Sequence, residues 1–353
     1  MSIIGKIKGF LPASSRSLHG MYGEVLQIKE IAQILYDIRG MLEDHGQRLW
    51  NIESRLQEYE NQLNAFEMQS NEMLWRIYKR DGEDVVDAKK RFFKSLDKAE
   101  GLLREHQLVL KSLLSDFDNL CKANRIKYFL ATGTLLGAIR HGGFVPWDDD
   151  VDVGIMNEDI DRLKDVVSKD GRFEITDIFD QYVFCRQVRF KRRDSGDNAP
   201  FVDLFIYEYS RCKTNRDLLQ VKEVRRELMD CLEDDSAKEG SLHPLNTYTY
   251  PENEEAYVAV SRTFQEYRNR LFEEGFYCSK ENACSIIWSI ENLSFGDPVH
   301  IIPIEYYENM RTCEFEGKDY LILGNSEKLL TQHYKDWLKI PTDINTHYRH
   351  YDI

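Results

Sequence analysis

The sequence predicts an α/β protein of the α+β kind, a mixed sheet with helices on its faces, preceded by one long N-terminal coiled-coil helix. Three observations predict it. Apolar residues recur at alternating steps of three and four from Ile28 to Ile77, the 3.5-residue period of a left-handed coiled coil. Short runs rich in β-branched and aromatic residues, at Lys127–Ala131, Tyr182–Phe190 and Pro200–Glu208, alternate with helical stretches further on. At 353 residues, 42% hydrophobic and 31% charged, the chain can hold a large globular domain plus an extension.

Residues 1–20 form a tail in which Ile3, Ile4, Ile7, Phe10 and Leu11 make an apolar stripe beside Lys6 and Lys8. The pattern suits peripheral contact with an anionic membrane, a frayed tail or a partner-docking segment alike. Residues 21–82 are the coiled-coil helix, and only His45 and Ser70 interrupt its seam. A seam of two residues in seven is narrower than a helix packed on its own domain shows, so a homo-oligomer is expected. Gly82 interrupts the helix. Another is expected from about Asp84 to Asn124, with residues 83–101 as a helical connector and 102–353 as the catalytic domain.

A net charge of −14 and the lack of a basic block argue against nucleic acid as a partner. Seven scattered cysteines without a C-x-x-C pair fit reduced thiols in a cytoplasmic protein. No stretch approaches the ~20 apolar residues of a membrane span. The expected location is therefore cytoplasmic, with the tail able to bring the chain to the inner face of the membrane.

The densest chemistry lies in Tyr128–Ile155, YFLATGTLLGAIRHGGFVPWDDDVDVGI. It reads as strand, glycine turn, short helix, loop, and a second strand loaded with carboxylates. Thr132, Gly133 and Thr134 open a helix at Leu135, where free backbone N–H groups can hold a phosphate. Alternation places Asp148, Asp150 and Asp152 on one strand face and Val151, Val153 and Ile155 on the other. Close carboxylates repel unless a cation sits among them. Mg²⁺ takes one or two carboxylates and leaves its other positions to water and phosphate oxygens.

The segment GTLLGAIRHGGFVPWDDDVDVGI resembles the signature of the LicD family, a branch of the nucleotidyltransferase-fold superfamily that includes fukutin and fukutin-related proteins. The resemblance begins near Leu102 and leaves the coiled coil outside. It implies a nucleotidyltransferase-like catalytic domain that moves phosphocholine, or a similar phospho-alcohol, from a CDP-activated donor to a glycan hydroxyl. The acceptor would be a cell-surface glycan such as lipopolysaccharide, teichoic acid or capsule, or its precursor. It further implies Mg²⁺ or Mn²⁺ held by Asp150, Asp152 and Asp203, with Gly133 and Thr134 cradling the phosphates. Asp148 and Asp149 rank below these as supporting loop residues.

Arg140 and His141 belong to the same motif and are expected to order its loop or touch donor phosphate. The resemblance also implies a basic residue at about the position of Arg189 in a strand beside the site, where a guanidinium could clamp the diphosphate in bidentate fashion. Asp203 also stands out by itself, a lone carboxylate in the apolar run PFVDLFIYE that is costly to bury without a partner. It would ligate the metal or act as base toward the acceptor hydroxyl. The chain departs from the family pattern at Ile206, where a proline is common, and at Lys335, where Tyr334-Lys335-Asp336 replaces Tyr-Gly-Asp. Tyr334 and Trp337 suit stacking on a base or sugar, or core packing. Two rival functions remain: transfer of a nucleotide from an NTP, and a non-catalytic coiled-coil scaffold.

Overall fold

The computed structural model of the chain describes residues 15–179, 185–193, 199–238, 255–293 and 301–340. The apolar stripe from Ile3 to Leu11 lies outside the described residues. Two compact units are present, Met1–Asp81 and Gly82–Ile353. In the first, one unbroken helix, α1 (Ser15–Tyr78), spans the expected heptads. Its seam side chains are exposed, from Ile38 at 45% to Ile77 at 80%. No helix among the described residues is long and apolar enough to cross a membrane.

The second unit opens with α2 (Val85–Lys94) and α3 (Gly101–Ala123), where the sequence suggests one helix. The break has local causes. The Ser95 hydroxyl donates to Phe92 O (2.7 Å) and ends α2, while Gly101 starts α3 at φ +58°, a conformation that side chains disfavour. The turn lets Phe93 enter the main core of this unit. There follow β1 (Tyr128–Leu130), α4 (Thr132–His141), β2 (Asp152–Met156), α5 (Ile160–Asp170), β3 (Phe173–Phe179), β4 (Arg186–Arg192) and β5 (Phe201–Ser210). A helical pair, α6 (Asn215–Ser236) and α7 (Glu255–Glu273), precedes β6 (Ser285–Trp288), β7 (Ile302–Pro303) and α8 (Ile304–Glu308). The hairpin β8 (Arg311–Phe315) and β9 (Lys318–Ile322) leads into α9 (Ser326–Tyr334).

The main sheet is mixed, in the order β1-β2-β5-β4-β3, with β6 on the far half of β5 and β7 beyond it. Only β2 and β5 run parallel. One face carries Leu130, Val153, Ile155, Val188, Phe190, Val202, Leu204 and Ile206, buried with Leu113 and Phe117 of α3 and Leu163 of α5. Period-two alternation then sends the intervening residues to the opposite face. There the register sets Asp152 beside Asp203, and Arg189 beside Asp203 on the other side. Further along the same face Tyr207 pairs with Trp288.

A buried ion network ties the outer strands to α5. Asp177 on β3 accepts from Arg186 on β4 (2.7 Å) and Lys164 on α5 (2.8 Å), and Arg186 also reaches Glu291 (2.6 Å). The two cations hold the Asp177 carboxyl below its ordinary range against the opposing effect of burial. Removing one member of such a network strands the others in a dry interior. Asp177→Ala is therefore expected to lower stability by about 3–5 kcal/mol. Urea denaturation measures this, and a loss under about 1 kcal/mol would contradict the reading.

Candidate active site

The carboxylates gather where β2 begins, and less of the run is strand than the alternation suggests. The strand starts only at Asp152, and Asp148–Asp150 lie in the preceding loop. The reason lies in α3. Gln107 donates its side-chain amide to Asp148 O (2.8 Å) and Val145 O (3.4 Å). His106 donates from Nε2 to Asp149 O (2.8 Å). With these carbonyls satisfied by side chains, the loop has less need of a sheet partner.

From the other side, Glu316 in the β8–β9 turn donates its backbone N–H to Gly142 O (3.0 Å). Its carboxylate is held by Arg104 (2.8 Å) and Lys98 (3.0 Å).

Asp152 is anchored twice. Its backbone N–H donates to Thr134 Oγ1 (2.8 Å), and its carboxylate accepts from the Thr132 hydroxyl. Thr134 is thus buried, its hydroxyl engaged with the backbone of β2. Thr132 begins α4 at φ +42°, a strained conformation for a threonine. Gly133 has a different reason: a Cβ there would stand 2.9 Å from Asp148 Oδ2, so a larger residue would make that carboxylate shift.

Oxygens of Asp148, Asp149 and Asp150 lie within 4.8 Å of one another. Burial, then Asp150 and Asp149, push the Asp148 carboxyl up to about 8. Burial, then Asp150 and Asp203, raise the Asp152 carboxyl well above its ordinary range. Asp203 is pushed up to about 6 by burial and Asp150, with Arg189 opposing. Asp150 acts on all three, which puts it at the centre of the set, and it is the exposed member. An all-oxygen set held together against its own repulsion fits a hard divalent cation.

Arg189 stacks on Phe201 (4.2 Å from Cζ to the ring centroid), bonds Gln187, and keeps its Nε buried without a hydrogen-bond partner. Arg140 is buried at the cleft wall, donating to Trp337 O (2.9 Å) and lying over Phe93 (4.6 Å). Burial lowers it to about 10. His141 packs edge-on to Phe93 and Trp147, and burial brings it down to about 3, so its ring is neutral.

Two spaces meet here. A cleft of about 470 Å³ is lined by Gly133, Asp148, Asp150, Asp152 and Tyr334 among others. A small apolar recess of about 40 Å³ is walled by Phe129, Thr132, Tyr207, Trp288, His333 and Tyr334. Tyr334 borders both, and burial together with Asp152, Asp148 and Asp150 raises its hydroxyl. The next residue, Lys335, sits at φ +61°, where a glycine would be unstrained.

Sequence reasoning misses Gln107, His106, Tyr207 and Trp288. The one available signal is Gln107, a polar residue on the stripe formed by Leu103, Leu110 and Leu114.

Comparison with known proteins bears on this arrangement. The family model described as LicD/FKTN/FKRP, nucleotidyltransferase domain, matches residues 125–249. The lipopolysaccharide cholinephosphotransferase LicD of Haemophilus influenzae is 26% identical over 262 residues, 68% of this chain and 93% of that one. An uncharacterized protein of Rickettsia prowazekii is 40% identical over 82 residues, 23% of this chain and 31% of its own. The human ribitol 5-phosphate transferase FKRP is 54% identical over 39 residues, 11% of this chain and 8% of that one. The matched region carries β1, α4, β2 and β5 with the carboxylates, and it is this stretch, without α1, that resembles the LicD family.

Proposed function

We propose that the chain is a metal-dependent transferase. It moves phosphocholine or a similar phospho-alcohol from a CDP-activated donor to a hydroxyl of a cell-surface glycan or its precursor. The observation that carries this reading is a cleft lined by Asp148, Asp150 and Asp152, with Asp203 next to Asp152 in the sheet and Arg189 beside Asp203. The relatives' names point the same way, to phospho-alcohol transfer. A nucleotide transferase acting on RNA is disfavoured by the charge of −14. A scaffold has no use for carboxylates crowded against their own repulsion.

In the reaction an acceptor oxygen forms a bond to the donor phosphorus nearer the alcohol. The bond from that phosphorus to the bridging oxygen breaks, and CMP leaves with the electron pair while the acceptor proton is released. Asp150, Asp152 and Asp203 would hold Mg²⁺ or Mn²⁺, which when bound neutralises charge on the phosphates. Thr132 and Thr134 fix Asp152 for that task, and Gly133 leaves its backbone open to a phosphate oxygen at the start of α4. Arg189 offsets the charge of Asp203.

The aromatic recess favours choline as the alcohol. Its walls combine aliphatic side chains with the rings of Phe129, Tyr207, Trp288 and Tyr334, a mainly apolar lining that suits a quaternary ammonium better than a polyol. With room for about three water-sized groups it suits a compact alkyl head, not a nucleobase. The field of Asp152 reaches Tyr207 and Tyr334 in its wall and adds attraction for a cation.

Thermal shift with Mg²⁺ and CDP-choline, CDP-ribitol, CDP-glycerol, CTP and ATP tests the function. CDP-choline is expected to stabilise the native chain and not Asp150→Asn. Stabilisation by NTPs alone would replace this reading with nucleotide transfer. Without metal or donor, Asp150→Asn itself should be about 1 kcal/mol more stable than the native chain, since it relieves like-charge repulsion.

Trp288→Ala should weaken CDP-choline binding about tenfold while leaving CTP binding unchanged; equal losses for both would remove the choline assignment.

The pH dependence has a definite sign. The folded chain keeps the Asp148 and Asp203 protons to about 8 and about 6, above the unfolded value near 4. Folding then binds protons over this range, so metal-free stability falls as pH rises from about 4 to about 8. Mg²⁺ affinity should rise over the upper part of it, as the carboxylates lose their protons. Titration calorimetry with Mg²⁺ at about pH 6 and about pH 8 checks this, and equal affinities would contradict it.

A further inference from the structure

The seam of α1 is a long apolar strip open to water. Twelve of its residues from Ile31 to Ile77, among them Leu35, Leu49, Ile52, Leu63 and Phe66, are 45–80% exposed. Burying each removes on the order of 60–120 Å² from water, which sums to roughly 1,000 Å² per helix. A stable interface needs about 800 Å² from each partner. The strip therefore suffices without any other contact, and the regular heptads fit only another heptad helix. A second copy of the same chain is always at hand.

The flanking charges give the orientation. Steps of three begin at the a positions, so a holds Leu35, Leu42, Leu49, Leu56 and Leu63, then Ser70 and Ile77, while d holds Ile31, Ile38, His45 and Ile52, then Tyr59, Phe66 and Met73. The g positions then carry Arg48, Arg55 and Gln62, and the e positions five residues on carry Glu53, Glu60 and Glu67. In a parallel, in-register bundle each g residue meets the following e residue of its neighbour. Arg48 would face Glu53, Arg55 would face Glu60, and Gln62 would face Glu67. An antiparallel pairing would set arginine against arginine and glutamate against glutamate. The one pairing seen for Arg48 within the helix, to Asp44, is an exposed surface contact that can exchange for another.

The seam also bears on strand number. In the first half of the seam, leucine at a with isoleucine at d (Ile31, Ile38 and Ile52) favours three or four strands over two, and the bulky Tyr59 and Phe66 fill d further on. Ile34 and Met41, exposed at g positions, widen the apolar face in the same direction. We propose that residues 31–77 assemble this chain into a parallel, in-register bundle of three or four copies, with the polar layers at His45 and Ser70 fixing the register. The proposal rests on α1 alone and is independent of the chemistry assigned to the second unit.

Native mass spectrometry and light scattering on the full chain read the result directly. The expected particle is three or four times the 41.6 kDa monomer. Leu49→Asp with Leu56→Asp should return it to monomer mass while the thermal transition of the second unit is kept. Arg48→Glu with Arg55→Glu should raise the dissociation concentration at least about tenfold. Adding Glu53→Arg and Glu60→Arg to that variant should restore the native value. A monomer or dimer mass for the native chain would overturn the proposal. So would charge reversal that leaves the assembly unchanged, or a four-fold variant that fails to recover.

Discussion

Repulsion among Asp148, Asp150, Asp152 and Asp203 is the constraint on which the rest of the second unit depends. Nothing in a folded chain brings four carboxylates together without opposing forces, and here the forces can be named. Hydroxyl and amide donors hold Asp152 and the loop before it, an arginine sits beside Asp203, and a glycine leaves room for Asp148. The hydrophobic face of the sheet, with Val153, Val202 and Leu204 fully buried, supplies the stability that the site subtracts from. The arrangement is stable as a fold and unsatisfied as a site. Such a set fits a divalent cation placed among its oxygens.

How much of this the sequence reveals depends on whether the deciding contacts are local. The heptads of α1, the alternation in β2 and β5, and the lone Asp203 are local signals, and each leads to the right element. The parallel register that sets Asp152 beside Asp203 is not local, because a crossover of some fifty residues lies between them. The loop at Asp148–Asp150 misleads for the same reason. Its alternation is that of a strand, yet the carbonyls of Val145, Asp148 and Asp149 are taken by Gln107 and His106, far upstream. The break between α2 and α3 turns on one serine hydroxyl and one glycine, signals too slight to outweigh a helical pattern.

Tyr207 and Trp288 show a second limit. Aromatic residues in strands ordinarily fill cores, and most here do so. Only the cross-strand pairing of β5 with β6 makes a wall of these two, facing the same way as the carboxylates. Arg140 and His141 show the converse. They stand in the densest part of the motif, and the structure spends the first on Trp337 O and Phe93 and packs the second, neutral, between Phe93 and Trp147. Of the two only Arg140 lines the cleft, so membership in a motif and contact with the cleft are separate properties.

The double grip of Gln107, with Glu316 on the far side, bears on how such a centre can be moved between proteins. The segment from Thr132 to Asp152 looks self-contained as a string of residues, but its loop takes its shape from a helix before it and a hairpin after it. A graft of that string alone would carry the carboxylates and leave behind what aims them. The smallest portable piece runs from α3 through the β8–β9 turn, nearly the whole unit. Recombination within the domain should therefore scatter the site sooner than it unfolds the sheet.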